Sequence, residues 1–218
     1  MHFKSLLATL CLLLPFASVA AESSYTADTD YRVIAPAMRV DAAPGKVQVL
    51  ELFWYGCPHC NHLEPAIQSW LKRKPANVEF VRVPAVFNRT QPDGKPHPWF
   101  IHAKAFYAAE ALGVGEKIHA PFFDAIHEQN RSLRTEEELA AFFAEHGVAP
   151  KEFKDAFNSF TVEAKAANAI EITKQSGISG VPALIVNGKY QVLGKRATSY
   201  DDFLAITDYL IARERPAR

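Results

Sequence analysis

A nearly continuous apolar run, Val47-Gln48-Val49-Leu50-Glu51-Leu52-Phe53-Trp54, leads through Tyr55-Gly56 into Cys57-Pro58-His59-Cys60, where a helical pattern begins at Pro58. No other stretch restricts the fold so tightly. A run of that kind suits a central strand covered on both faces. Proline suits a first helical position because it has no N–H to leave unpaired. The two thiols therefore sit where a buried strand passes into a helix N-terminus. N–H groups of a first turn lack intrahelical partners, and the macrodipole is positive there. A thiolate on Cys57 is stabilised by that end, which lowers its pKa, and a protonated His59 adds positive charge beside it. This is a setting for redox chemistry. A structural zinc site needs four ligands, and the only other cysteine is Cys11. His59 and His62 complete a set on paper only, because His59 lies in the loop between the cysteines and does not easily reach the same ion. Asn61 stands where haem attachment requires histidine. Neither metal nor cofactor is expected.

The N-terminus reads as a secretory signal over residues 1–21. Lys4 supplies the positive start, Leu6 to Phe16 is an uncharged apolar run of eleven residues, and Ala17-Ser18-Val19-Ala20-Ala21 offers small residues for cleavage after Ala20 or Ala21. A membrane span needs about twenty apolar residues, so this run is too short for one. Its removal, which takes Cys11 with it, leaves Cys57 and Cys60 alone in a chain expected in the periplasm. An oxidising compartment permits structural disulfides, but a pair two residues apart closes a small loop and staples nothing distant. Its value lies in reactivity. The sequence carries 24 basic and 24 acidic residues, and Lys4 is the only charged side chain up to Ala21, which leaves 23 against 24, or −1. No basic patch points to nucleic acid, and no second apolar run is long enough to span a membrane, so the expected partners are proteins.

Along the chain, Tyr31-Arg32-Val33-Ile34 is a candidate first strand, Val47 to Trp54 the second, and Val78-Glu79-Phe80-Val81-Arg82-Val83 the third, with a helix from Pro58 to about Lys74 between the last two. This β-α-β order implies parallel strands joined by a right-handed crossover. Asn88 to Pro98 is rich in turn residues. From Trp99 to about Gly177 the pattern is helical, with candidates at 99–112, 116–129, 136–146, 151–160 and 162–176. Thr135 and Glu138 have capping-box spacing. Phe106, Phe122, Phe123, Phe142, Phe143, Phe153, Phe157 and Phe160 cluster there, as fillers of a helical core or, for a few, as lining of an apolar substrate surface. Strands resume at Ala183 to Val186, turn through Asn187-Gly188, a strong hairpin signal, and continue from Lys189 to Leu193. A last helix spans Tyr200 to about Arg213.

Taken together, Phe53-Trp54-Tyr55-Gly56-Cys57-Pro58-His59-Cys60, Gly180-Val181-Pro182-Ala183 and Val186-Asn187-Gly188-Lys189-Tyr190 resemble the DsbA family of periplasmic dithiol oxidases. The resemblance implies an α/β thioredoxin fold with an inserted all-helical domain, divided as 22–87, 88–162 and 163–218. It implies that Cys57 is the exposed attacking sulfur and Cys60 the buried one, with Pro58 and His59 tuning the pair. Val181-Pro182 matches the family's cis-proline loop, where Val181 pairs with an extended substrate. Substrates would be unfolded exported proteins with free cysteines. An inner-membrane, quinone-linked protein of the DsbB type would reoxidise the chain, which is expected to be a monomer.

Glu51 is an acid in the middle of the apolar strand. It is either the partner of a cation such as Arg82 on the neighbouring strand or, by family analogy, a buried acid that moves protons to and from Cys60; the two roles are compatible. His62 and Glu64 read as ordinary solvated helix residues. Two competing functions remain: a disulfide isomerase or reductase, whose usual dimerisation domain finds no room in the short lead-in, and a non-catalytic peptide-binding chaperone with an incidental cysteine pair.

Overall fold

The structure is a computed structural model and describes residues 25–214. The expected signal segment, its cleavage site at Ala20 or Ala21 and Cys11 lie outside the described residues. Five strands, β1 (Tyr31–Val33), β2 (Val47–Phe53), β3 (Val78–Pro84), β4 (Ala183–Val186) and β5 (Tyr190–Val192), form one sheet in the order β1-β5-β4-β2-β3. β2 runs parallel to β3 and antiparallel to β4. The β2–β3 crossover is α1 (Pro58–Leu71). Five helices then intervene before the chain returns to the sheet: α2 (Pro98–Ala111), α3 (Gly115–His127), α4 (Glu136–Glu145), α5 (Pro150–Phe157) and α6 (Phe160–Ser176). α7 (Tyr200–Arg213) is the last element among the described residues.

Alternation along the central strands sorts the core into two layers. Val47 and Val49 of β2, with Leu184 and Val186 of β4, meet Leu63, Ile67 and Trp70 of α1 and Leu204, Ile206 and Leu210 of α7. Leu50 and Leu52, with Ala183 and Ile185, face the other way into the aromatic interior of the intervening helices. Both faces of the sheet are covered, which is why β2 reads as a continuous apolar run. Of the eight clustered phenylalanines, seven fill the core and Phe160 is 87% exposed.

Element ends differ from the sequence reading where local chemistry decides them. α1 stops at Leu71 because Lys74 precedes Pro75, and proline disfavours helical geometry in the residue before it. A break between α5 and α6 falls at Ser159, whose hydroxyl accepts the Val162 N–H at 3.3 Å and starts a helix at Phe160. The Thr135–Glu138 capping box forms in both directions. The β4–β5 hairpin turns on Asn187 (φ 51°) and Gly188 (φ 67°), the two positive angles that a type I′ turn requires. Gly188 also lies under the loop before β2: a Cβ there would stand 2.5 Å from the carbonyl oxygen of Met38.

Candidate active site

Cys57 is the N-cap of α1, with Pro58 in the first turn, and its own N–H donates to the Trp54 carbonyl at 2.9 Å. Its carbonyl accepts the N–H groups of Cys60 and Asn61, both at 3.1 Å, so the cysteine loop is the opening turn of the helix. Gly56 is demanded by packing: a Cβ there would lie 2.4 Å from the Trp54 indole, which is itself stacked on Trp99 at 4.3 Å. Val181-Pro182 is a cis peptide, as the sequence pattern suggested, and it faces the cysteines. The Cys57 thiol donates to the Val181 carbonyl at 3.4 Å. Pro58 and His59 are exposed, whereas Cys57 keeps 9% of its surface and Cys60 only 1%. Cys57 is thus less open than the family resemblance implied, because the Val181 loop covers its flank.

The two sulfurs, present as free thiols, differ sharply in acidity. Cys57 is lowered to about 6, first by a hydrogen bond from the Cys60 thiol and then by the backbone N–H groups of Cys60 and His59 and the charge of His59, against burial. Cys60 is driven far up, by burial first and then by the hydrogen bond and charge of Cys57. The helix start and His59 do contribute, as the sequence suggested, yet the partner thiol contributes most. Cys60→Ala is therefore expected to raise the Cys57 pKa toward the ordinary cysteine value of about 8.5, and His59→Leu to raise it by less. Thiolate absorbance against pH measures both. A larger rise in His59→Leu would reverse the ranking.

Behind Cys60 lies a buried charged chain. Glu51 (2% exposed) faces Arg82 across the β2–β3 register, and the Arg82 Nε donates to Glu51 Oε2 at 3.1 Å. The same guanidinium donates from Nη2 to Glu64 Oε1 at 2.8 Å, and the Gln68 amide donates to that oxygen at 2.6 Å. Burial raises Glu51 to about 7, the Arg82 charge opposing and the Glu64 charge assisting. Burial also pushes Glu64 upward, but His119, Arg82 and Gln68 overcome it and hold its carboxyl below the usual range. Glu64 corrects the sequence reading. It is 6% exposed rather than solvated, because α3 packs against α1 and brings His119 over it, while His62 is exposed as expected. Its one signal in the sequence was a position on α1 next to the apolar stripe of Leu63 and Ile67.

Beside the cysteine loop, His59, Pro182, Gly194, Thr198, Tyr200 and Phe203 line a groove of about 600 Å³. A larger groove, about 970 Å³, lies away from the sulfurs, between β3, α2 and α3.

A reactive thiol at a helix N-terminus, a second thiol buried one turn on, a proline loop against the first sulfur and a sheet of this order define a thioredoxin-fold thiol:disulfide oxidoreductase. Residues 48–204 match the DSBA-like thioredoxin domain family. The thiol:disulfide interchange protein DsbA of Azotobacter vinelandii is 43% identical over 81% of this chain and 79% of its own. That of Pseudomonas aeruginosa is 37% identical over 97% and 96%. Among solved structures, Pseudomonas aeruginosa DsbA superposes with a TM-score of 0.78 at 38% identity, covering 88% of this chain and 95% of that one. The oxidoreductase DsbA of Xylella fastidiosa gives 0.79 at 36%, covering 88% and 99%. The chain belongs to the DsbA family.

Proposed function

We propose that this oxidoreductase works as a periplasmic dithiol oxidase, delivered by cleavage after Ala20 or Ala21, that passes its Cys57–Cys60 disulfide to exported proteins with free cysteines. The observation that carries the direction is the placement of Cys57 at the N-terminus of α1 with Cys60 buried one turn on, which sets the two sulfurs apart in acidity. A substrate thiolate attacks Cys57 Sγ, the Cys57–Cys60 bond breaks, and Cys60 leaves with the electron pair. A second substrate thiolate then attacks the substrate sulfur of the mixed disulfide, and Cys57 leaves as a thiolate. The substrate loses two electrons and the enzyme gains them. Because the Cys57 thiolate is stabilised, the reduced enzyme is favoured. One pKa unit below ambient pH corresponds to about 1.4 kcal/mol, or about 30 mV, toward oxidising power.

Cys60, so hard to ionise, must take up a proton as it leaves. Glu51, whose charge acts on Cys60 and whose pKa lies near neutrality, is the proposed donor. Val181 is the proposed edge for an extended substrate, and Pro182 keeps an amide N–H away from the sulfurs. On this reading segment 88–162 is a helical insertion between two thioredoxin-like parts, 22–87 and 163–218. The working unit is a monomer, reoxidised by a quinone-linked membrane protein of the DsbB type.

The test is equilibration with glutathione buffers. The pair is expected to go fully reduced at glutathione ratios that leave an ordinary structural disulfide intact, and to oxidise a two-cysteine peptide quickly. A pair that stays oxidised down to the potentials of structural disulfides, below about −300 mV, would falsify the oxidase assignment.

A further inference from the structure

We propose that His119 is a positioning residue of the thiol–disulfide reaction, tying the hydroxyl of Tyr55, two residues before Cys57, to the Glu64–Arg82–Glu51 chain behind Cys60. The inference rests on the reading that Glu51 exchanges a proton with Cys60. Tyr55 is 1% exposed, stacked on Phe122 at 4.0 Å, and its hydroxyl lies 2.9 Å from His119 Nδ1. The Tyr55 carbonyl is held by a second histidine of the same helix, His127, with Nε2 at 2.8 Å. α3 thus grips the residue that leads into the cysteine loop at its side chain and its main chain.

His119 is itself 5% exposed, and its Nε2 has no aligned hydrogen-bond partner, although it lies 3.4 Å from Glu64 Oε2. A phenol that donates to Nδ1 leaves the ring proton on Nε2, facing that carboxylate. The same imidazole therefore touches both halves of the site. The charged or titratable groups around it are Tyr55 from the turn after β2, Glu64 from α1, Arg82 from β3, and Glu116 on α3 itself, with Glu51 of β2 reached through Arg82. Glu110 of α2, Lys74 and Lys165 share the wall of the larger groove with Arg82 and His119. Burial keeps His119 below its ordinary pKa, so it acts as a neutral ring and Arg82 remains the cation that the two carboxylates share.

Without the imidazole, Glu64 leans on Arg82 as its one remaining charged partner, with only the Gln68 amide beside it, Arg82 holds Glu51 less firmly, and Glu51 keeps its proton to higher pH. Stopped-flow reduction of the Cys57–Cys60 disulfide by dithiothreitol, across pH, reads this directly. His119→Leu is expected to move the midpoint of the rate profile upward by about half a unit or more. His119→Gln, whose amide reaches toward Glu64 as Nε2 does, is expected to restore it, and the shorter His119→Asn to leave it displaced. Tyr55→Phe combined with His119→Leu should disturb the glutathione equilibrium by less than the sum of the two single changes, since they break one contact.

Glu51→Gln separates the two readings. If it flattens the profile while His119→Leu leaves the midpoint unmoved, His119 has no such role and the proton role of Glu51 stands. If Glu51→Gln leaves the profile unchanged, both fall. Should His119→Leu fail to fold, the comparison of Gln with Asn decides: equal midpoints overturn the proposal.

Discussion

With Cys57 replaced by serine, turnover of a reduced two-cysteine substrate is expected to drop by at least about a thousandfold, since the accepting sulfur is gone and no second route exists. No covalent adduct should form. Cys60→Ala should behave in the opposite way. Its Cys57 thiolate still attacks a disulfide-bonded peptide, one peptide sulfur leaves as a thiolate, and the mixed disulfide persists because Cys60 is no longer there to attack Cys57. Non-reducing gels and intact mass would show an adduct that vanishes with reductant. Because Cys60 is also the main group holding the Cys57 pKa down, the adduct should form more slowly than the parent's below pH 8. Persistent adducts on Cys57→Ser, or none on Cys60→Ala in a folded protein, would give the roles of the two sulfurs to other residues.

Much of this site was legible in the chain because its parts are local. The step from an apolar strand into Cys57-Pro58-His59-Cys60 sets the helix start, and Asn187-Gly188 sets the hairpin that places β4 beside β2. Glu51 was visible as an acid where its neighbours are apolar, and strand register then delivered Arg82 to it. What the sequence hid depends on packing between distant segments. Glu64 sits on a helix, where acids are ordinarily solvated. Only the docking of α3, more than fifty residues later, buries it against His119. The two histidines of α3 carry no motif of their own, and their meaning comes from Tyr55, reached across 64 and 72 residues. The ranking of influences on Cys57 was hidden for the same reason: spacing shows that Cys60 is near, but not that its thiol faces Cys57.

The charged chain should also dominate the pH dependence of stability, and Arg82→Met exposes it. Arg82 is 9% exposed at its side chain and is the cation contacting both Glu51 and Glu64. Removing it leaves two carboxylates facing each other out of water, and breaking a buried pair in this way costs about 3–5 kcal/mol. That is a large share of the roughly 5–15 kcal/mol that holds a domain folded. The charge of Arg82 lowers both Glu51 and Glu64, so its loss raises both in the folded state while their unfolded values stay near 4.3. The folded variant then binds more protons than the unfolded chain, and its stability falls as pH rises through the raised values. The deficit against the parent should be smallest near pH 5, where the protonated acids need no cation, and largest near pH 8. Arg82→Lys, which supplies charge but not the two-headed guanidinium, should recover part of it. Urea unfolding at both pH values makes the comparison. A deficit that does not change with pH would mean that lost packing of the Arg82 stem, rather than its charge, is what the fold misses.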